Sequence, residues 1–204
     1  MLYNERIIKA INMAYDIHKN EKDKIGVPYI FHPFKVADMI ITEETQFGGI
    51  KDCKVLEDCV IIALLHDVVE TNIKSENNYI EFKDGIYFNK SNMSESEIIE
   101  KTVIGIREVF GDIVADAIDA LTRREDETYS DYIDRVCQNP YAVKVKIHDI
   151  KNNMNVNRMK NLDDKEKESL SKRYIKAMDT LVKFERLWCY NGKDYSGRKS
   201  DLYT

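Results

Sequence analysis

The stretch "ALLHDVVET", residues 63–71, decides how this chain is interpreted. It closes the apolar run "CVIIALL", which is typical of the buried centre of a helix, and places an imidazole and two carboxylates directly behind it, at His66, Asp67 and Glu70. Spacings of three and four residues put Glu70 beside the other two on one face of the predicted helix. The stretch also fits a helix that leaves the core for solvent, where such residues are ordinary surface groups.

Helical periodicity extends through most of the chain. Only three prolines and eight glycines interrupt 204 residues, and apolar residues recur at intervals of three and four. The fold class predicted from this pattern is all-α. The predicted helices cover about 4–19, 30–41, 52–71, 94–111, 112–123, 130–138, 141–155 and 164–190.

One segment, at about 73–93, breaks the helical pattern. It is polar and contains "YIEFKDGIYF", in which an Asp-Gly dipeptide separates two runs rich in aromatic and β-branched residues. We predict a small β-hairpin insertion there. Because it starts just after Glu70, we expect either a lid that selects the substrate or a surface ornament.

Length and composition favour a single soluble domain. We expect one domain over 1–192 and a polar tail over 193–204. The formal charge of −5 argues against a nucleic-acid partner, since backbone binding depends on clustered Lys and Arg. No apolar run is long enough to span a bilayer, and the charged start "MLYNERIIKA" lacks the apolar region of a signal peptide. We therefore expect no membrane partner and a cytoplasmic location.

The cysteines give no sign of a zinc knuckle or a disulfide framework, because no CxxC pair occurs. We expect ordinary reduced residues at all four positions, Cys53, Cys59, Cys137 and Cys189.

Two further motifs carry polar residues that a plain helical bundle does not need. In "YIFHP", His32 lies among apolar neighbours, where a satisfied core histidine is the commoner role. In "VKIHDIKNNM", Asp149 and Asn153 share one helical face, and His148 points about 100° away from Asp149. Two histidines and two aspartates on three helices can bind one divalent metal, and Mn²⁺, Fe²⁺, Zn²⁺ and Mg²⁺ all accept such a ligand set.

"YIFHP", "ALLHDVVE" and "VKIHDIKNNM", with "FGDIVADAIDALTR" between the last two, resemble the motifs of RelA/SpoT-type HD-domain hydrolases in order and approximate spacing. These enzymes remove the 3′-pyrophosphate from the alarmones ppGpp and pppGpp. The resemblance covers roughly residues 10–185 and implies an HD-domain helical bundle acting as a small stand-alone alarmone hydrolase. It implies Mn²⁺ as cofactor, with other divalent metals as alternatives. The metal ligands that it implies are His32, His66, Asp67 and Asp149.

The same resemblance assigns further roles. Glu70 matches the acid that orients or deprotonates the attacking water, in a catalytic group with Asp67 and Thr71. Asn153 matches a residue close to the nucleotide, and Lys24 one of a basic pair near the substrate. His148 is not a ligand in this pattern. Four arginines are either further phosphate contacts or solvated charges on helix faces, namely Arg123, Arg124, Arg158 and Arg173.

Two departures from the family pattern leave the substrate open. A second acid usually follows Glu70, and here the residue is Thr71; an Arg-Lys pair usually precedes the "GxPY" turn, and here it is Asp23-Lys24. An aspartate would repel a pyrophosphate that an arginine would attract. Three functions therefore stand: an alarmone 3′-pyrophosphohydrolase, a related phosphohydrolase of another phosphorylated nucleotide, and a non-catalytic nucleotide sensor. The oligomeric state is not indicated.

Overall fold

Ten helices and one pair of strands form the part of the chain that the computed structural model describes, residues 4–46, 50–75, 79–82 and 86–190. The all-α class is confirmed. The predicted tail over 193–204 lies outside the described residues. The helices are α1 (Glu5–His18), α2 (Phe31–Gln46), α3 (Cys53–Leu65), α4 (Val68–Lys74), α5 (Glu95–Phe110), α6 (Asp112–Leu121), α7 (Tyr129–Val136), α8 (Pro140–Asn153), α9 (Val156–Met159) and α10 (Asp164–Tyr190).

Helix α3 forms the centre of the core. It packs against α1, α2, α6 and α8, and no residue from Cys59 to Leu65 is more than 3% exposed. Asp52 starts the helix by accepting hydrogen bonds from the backbone N–H groups of Lys54 and Val55. Burying each large aliphatic side chain contributes roughly 1.5–3 kcal/mol, so this one helix supplies a large part of the driving force for folding.

Helix ends follow the local sequence signals. Ser94 and Glu97 form a reciprocal capping box at the start of α5, which confirms the prediction for this boundary. Gly111 has a φ of 89°, a value that favours glycine, and it separates α5 from α6. Asn139 caps α8, with Pro140 in its first turn. Short polar signals therefore set where these helices begin and end.

The prediction of one continuous helix over 52–71 is wrong. Helix α3 ends at Leu65, α4 begins at Val68, and the two residues between them form a turn. Asp67 has φ −105° and ψ −1°, in the sparsely populated bridge region. No glycine or proline marks this break. At the break, the backbone turns the side chains of His66 and Asp67 toward the same point.

The strands lie in the predicted insertion. β1 (Tyr79–Phe82) pairs antiparallel with β2 (Ile86–Asn89), so that Tyr79 is opposite Asn89. The Asp-Gly dipeptide expected at the turn falls in residues 83–85, outside the described residues. Lys90 connects the end of this segment to α4. Its ammonium donates hydrogen bonds to the backbone carbonyls of Asn72 and Ser75. A role for the insertion as a lid stays a prediction.

A second polar region, which we call the Lys144 cluster, joins α2, α8 and α10. The Lys144 ammonium lies 3.0 Å from Glu44 and 2.5 Å from Glu185, and Lys144 and Glu44 are both buried. His148 and Lys151 extend the cluster to Glu43, at 3.4 and 2.5 Å. Of the helices described, none combines the length and the apolar character needed to cross a membrane.

Candidate metal centre

The four predicted metal ligands meet at one buried point, which we call the candidate centre. His32 comes from α2, Asp149 from α8, and His66 and Asp67 from the turn between α3 and α4. The two imidazole Nε2 atoms are 3.3 Å apart. Asp149 Oδ1 lies 3.1 Å from Nε2 of His32, and Asp67 Oδ2 lies 3.1 Å from Nε2 of His66.

Hydrogen bonds at the far side of each ring fix the tautomers. Nδ1 of His66 lies 2.7 Å from the carbonyl oxygen of Ala63, and because a carbonyl can only accept, this nitrogen carries the proton. Nδ1 of His32 donates in the same way to Oδ1 of Asn152, at 2.9 Å. A neutral imidazole protonated at Nδ1 presents a lone pair at Nε2. Both lone pairs therefore face the candidate centre.

Side-chain donors contact both carboxylates, and two of them, Tyr29 and Asn153, bond the same oxygens that face the histidines. Asp149 accepts from Lys146 at 2.8 Å and from the Asn153 amide at 2.6 Å, and Asp67 accepts from the Tyr29 hydroxyl at 2.6 Å. These contacts orient the oxygens that face the histidines. Outer partners of this kind are typical of metal sites, where they fix the geometry of the ligands.

Without a metal, the pKa values show how strongly this site attracts positive charge. Burial alone would lower the pKa of His66, but the carboxylates of Asp67 and Asp149 raise it to about 10. Burial would raise the pKa of Asp149, but Lys146 and the two histidines hold it well below its ordinary value. The pKa of the Tyr29 hydroxyl rises, because of burial first and of the Asp67 charge second. The shift of His66 shows that the two carboxylates favour a positive charge among the four side chains.

The spacing of the donor atoms fits one divalent ion. Ligand atoms about 2.1 Å from an ion and 90–110° apart lie about 3.0–3.4 Å from one another. The observed separations run from 3.1 to 3.7 Å. His32, His66 and Asp149 are all buried, and their ligand atoms lie within 4.8 Å of one another. Asp67 keeps a side-chain exposure of 20%, so the centre is reachable from its side.

Two of the predicted catalytic residues make their contacts elsewhere. Glu70, in the first turn of α4, is one-third exposed and lies 3.3 Å from the ammonium of Lys74. The buried Thr71 hydroxyl donates to Oε2 of Glu21 at 3.0 Å and lies 3.3 Å from Nδ1 of His18. The candidate centre therefore contains Asp67 of this predicted group, and Thr71 belongs to a neighbouring set of polar side chains.

The predicted substrate contact Lys24 lies in a tight turn built on Asp23. Oδ1 of Asp23 accepts from the backbone N–H groups of Ile25 and Val27, at 3.0 and 2.9 Å. Gly26 has a φ of 84°, which favours glycine. Lys24 is exposed at this turn. Asp23 thus has a structural role that sequence reasoning missed, although an aspartate three residues before a glycine is a known turn signal.

A cavity of about 520 Å³ opens beside the candidate centre. His32 and Asn152 form its inner side, and Asp23, Lys35 and Arg158 add charges around it. Its apolar lining comes from Ile25, Val27, Pro28, Phe31 and Phe34. Its size and mixed lining suit a ligand with an aromatic part and a charged part.

The four arginines proposed as phosphate contacts have different surroundings. Arg123 donates to the carbonyl of Glu127, Arg124 pairs with Asp119 at 2.5 Å, and the Arg173 guanidinium lies 4.7 Å from the Tyr129 ring centre. Of the four, Arg158 is the one that lines the cavity beside His32.

His148 makes its contacts within the Lys144 cluster. Its Nδ1 lies 2.9 Å from the Lys144 carbonyl oxygen, and its Nε2 faces Glu43 and Glu44 at 3.4 and 3.7 Å. Burial lowers its pKa. That His148 is not a ligand stays a prediction for metal analysis.

Sequence reasoning missed three residues that touch the candidate ligands, namely Tyr29, Lys146 and Asn152. Asn153 had been chosen for the nucleotide, yet it donates to Asp149. Spacing offered one signal, since Lys146, Asp149 and Asn153 follow one another at three and four residues on α8. Nothing in the sequence marks Asn152 as the partner of a histidine 120 residues away.

No family model matches the chain. Over 66 residues, 31% of its length, it is 39% identical to the guanosine-3′,5′-bis(diphosphate) 3′-pyrophosphohydrolase MESH1 of Danio rerio. The matched segment spans 32% of that relative, about a third of its length. This partial match supports similarity to HD-type hydrolases at most.

Proposed function

We propose that this chain is a metal-dependent phosphohydrolase that removes the 3′-pyrophosphate from guanosine alarmones, so that ppGpp and pppGpp become GDP and GTP. One observation carries the proposal: two imidazole lone pairs and two carboxylates converge on one buried point. The partial similarity to a 3′-pyrophosphohydrolase supports the substrate class. We assign this activity to residues 1–192 as a single domain.

The residues of the candidate centre would hold the metal, and Mn²⁺ is our proposed ion because it accepts mixed imidazole and carboxylate ligands. Such a metal supplies Lewis-acid activation of water and neutralises charge on phosphoryl oxygens. The protein prepares for it with His32 and His66, whose far-side hydrogen bonds place one ring proton at Nδ1 and turn Nε2 toward the candidate centre. Lys146 and Asn153 keep Asp149 ionised and oriented.

Glu70 is our proposed general base. It lies three residues after Asp67, in the first turn of α4, and its carboxylate is partly open to solvent. A carboxylate in this place can accept the proton that the attacking water loses. The ammonium of Lys74 lies 3.3 Å from this carboxylate.

The cavity beside His32 is our proposed nucleotide site. Its apolar lining suits the base, and Arg158, which lines it, is our proposed phosphate contact. Lys24, in the adjacent turn, is a second proposed contact. Asn153, assigned to the nucleotide by resemblance, acts in this scheme through Asp149. Lys24 is exposed and carries the charge that remains of the expected basic pair.

A second candidate, hydrolysis of another phosphorylated nucleotide, is favoured by Asp23. This residue lines the same cavity, and its carboxylate is engaged in the turn, so no arginine can replace it without loss of the turn's hydrogen bonds. A negative charge at this edge disfavours a pyrophosphate more than a single phosphate.

The test is a substrate panel with the Mn²⁺-loaded protein. The panel contains ppGpp, pppGpp, NADPH, 3′-phosphoadenosine compounds and cyclic nucleotides, and release of pyrophosphate and phosphate is followed separately. We expect pyrophosphate from both alarmones and none with the Asp149→Ala variant as control. Phosphate from a different nucleotide alone would favour the second candidate. Nucleotide binding without any release would point to a sensor.

A further inference from the structure

Beside the candidate centre lies a second set of polar side chains, which we call the Glu21 cluster, formed by His18, Glu21 and Thr71. Oε2 of Glu21 accepts from the Thr71 hydroxyl at 3.0 Å and from Nδ1 of His18 at 2.6 Å. His18 is fully buried and Thr71 is 6% exposed, whereas the Glu21 side chain is 35% exposed. Two buried donors thus converge on one partly open carboxylate oxygen.

His18 links this cluster to the candidate centre. Its ring centre lies 5.2 Å from that of Tyr29, whose hydroxyl donates to Asp67. Burial lowers the pKa of His18, so the neutral ring donates through Nδ1. Its Nε2 has no hydrogen-bond partner among the described residues. A buried histidine with one unsatisfied nitrogen lowers the stability of the fold. The hydrogen bond from His18 to Glu21 offsets part of that loss.

Thr71 links the cluster to α4. Its backbone N–H donates to the carbonyl of Asp67 at 3.0 Å, in the helical turn that also carries Glu70. The side chain of Thr71 therefore joins that turn to the end of α1. The Thr71 hydroxyl carries no charge. Its hydrogen bond, however, holds the Glu21 carboxylate 3.0 Å away.

We infer that Glu21 is a positioning residue of the site, which supplies next to position 71 the carboxylate that Thr71 lacks. Thr71 and His18 hold that carboxylate, and through it they fix the first turn of α4. Its negative charge adds to the attraction of the candidate centre for a divalent cation, because His18, which it contacts, lies within electrostatic reach of His66 and Asp67. This inference rests on the proposed function, because it assumes that the centre binds a metal.

The inference predicts that the charge can be moved from position 21 to position 71. Glu21→Gln keeps an acceptor for both donors but removes the charge, so Mn²⁺ should bind about three- to tenfold more weakly. Thr71→Asp alone puts two carboxylates within hydrogen-bond distance, and like charges that close raise the proton affinity of one of them. Its melting temperature should fall. The double variant E21Q/T71D carries one carboxylate again and should regain both the Mn²⁺ affinity and the stability.

The measurement is a Mn²⁺ titration followed by electron paramagnetic resonance, together with thermal unfolding of each variant. Glu43→Gln is the matched control, since Glu43 is also one-third exposed and also faces a buried histidine, but in the Lys144 cluster. It should bind Mn²⁺ like the wild type. A cluster that only stabilises the fold would lower the melting temperature of Glu21→Gln without changing its affinity for Mn²⁺.

Two results would overturn the inference: unchanged Mn²⁺ affinity in Glu21→Gln, or a double variant no better than the weaker single one. A different result would reject the proposed function. Restored Mn²⁺ affinity in the double variant, combined with a wild type that releases no phosphate or pyrophosphate from the panel, would keep the inference and reject the hydrolase. Hydrolysis by the wild type, combined with an unchanged Mn²⁺ affinity in Glu21→Gln, would keep the hydrolase and reject the inference.

Discussion

The chain contains the dipeptide His-Asp twice, and the two copies behave differently. At His66-Asp67 the helix breaks, and both side chains face the candidate centre. At His148-Asp149 the helix continues, so the two side chains point about 100° apart. Asp149 reaches the candidate centre while His148 joins the Lys144 cluster. The backbone between two residues, and not the pair itself, decides whether both serve one site.

The two regions also differ in their balance of donors and acceptors. In the Lys144 cluster each carboxylate faces a cation, as Glu44 does with Lys144 and Glu43 with Lys151. In the candidate centre two imidazole Nε2 atoms and two carboxylate oxygens lie together, and the side chains that donate to those oxygens, Tyr29 and Asn153, are both uncharged. The first region already holds a cation against each of its carboxylates. The second needs a proton or a metal.

The largest effect should come from breaking the candidate centre. Asp149→Ala removes the ligand oxygen nearest His32, and we expect Mn²⁺ affinity to fall by more than the roughly 100-fold that loss of an outer partner costs. Asp67→Ala should behave likewise. Metal content after dialysis, measured by mass spectrometry, checks this.

The control is the other copy of the dipeptide. His148→Ala should keep its Mn²⁺ content, although it loses a buried side chain. Loss of metal in His148→Ala, or full metal content in both aspartate variants, would remove the distinction between the two regions.

The next largest effect should come from the Lys144 cluster and should appear in stability. Lys144→Met leaves the Glu44 carboxylate buried without its cation, which typically costs about 3–5 kcal/mol of unfolding free energy. The double variant K144M/E44M removes both charges and should recover most of that loss. Chemical denaturation measures it. A loss below about 1 kcal/mol would show that Glu44 does not depend on this ion pair.

A smaller effect should follow from loss of the partner of His32. Asn152→Leu keeps a similar volume but removes the acceptor for Nδ1, and Mn²⁺ affinity should fall about 10- to 100-fold. Asn152→Asp offers a carboxylate oxygen to the same nitrogen and should retain most of the affinity. If the two variants bind Mn²⁺ equally, the hydrogen bond from Nδ1 does not orient the ring.

The smallest effect is a pH dependence of stability. Because burial lowers the pKa of His148, the unfolded chain binds a proton near pH 6.5 while the folded chain does not. Stability from this group is therefore present above about pH 6.5 and falls as the pH drops below it, by at most about 1.4 kcal/mol per pH unit. His148→Gln should flatten the curve of unfolding free energy between about pH 5.5 and 7. An unchanged slope would contradict the neutral buried state.

The helical fold could be predicted from the sequence because its signals are local. The apolar period, the Ser94 capping box and the Asn139-Pro140 start each lie within one or two turns of the helix that they define. The break at His66-Asp67 could not, because neither a glycine nor a proline lies at it. It coincides with contacts from distant residues such as Tyr29 and His32.

The sequence predicted which side chains meet at the candidate centre better than it predicted what surrounds them. The resemblance named the four residues that meet at the candidate centre, since their motifs are short and ordered. Their partners Asn152 and Tyr29 depend on how α2, α3 and α8 pack, which periodicity does not specify. Thr71 was interpreted as a missing acid. The carboxylate beside it comes from Glu21, 50 residues earlier in the chain.

The bond between His32 and Asn152 has a consequence for synthesis. These two residues are separated by 120 positions. At a translation rate of roughly 5–20 residues per second, His32 waits about 6–24 s for its partner to be made. After α3 has been made, α8 is still missing, so the side of α3 that packs on α8 stays uncovered for the rest of that interval. Chaperone contact with the segment around residues 59–65 should therefore end only after α8 has emerged.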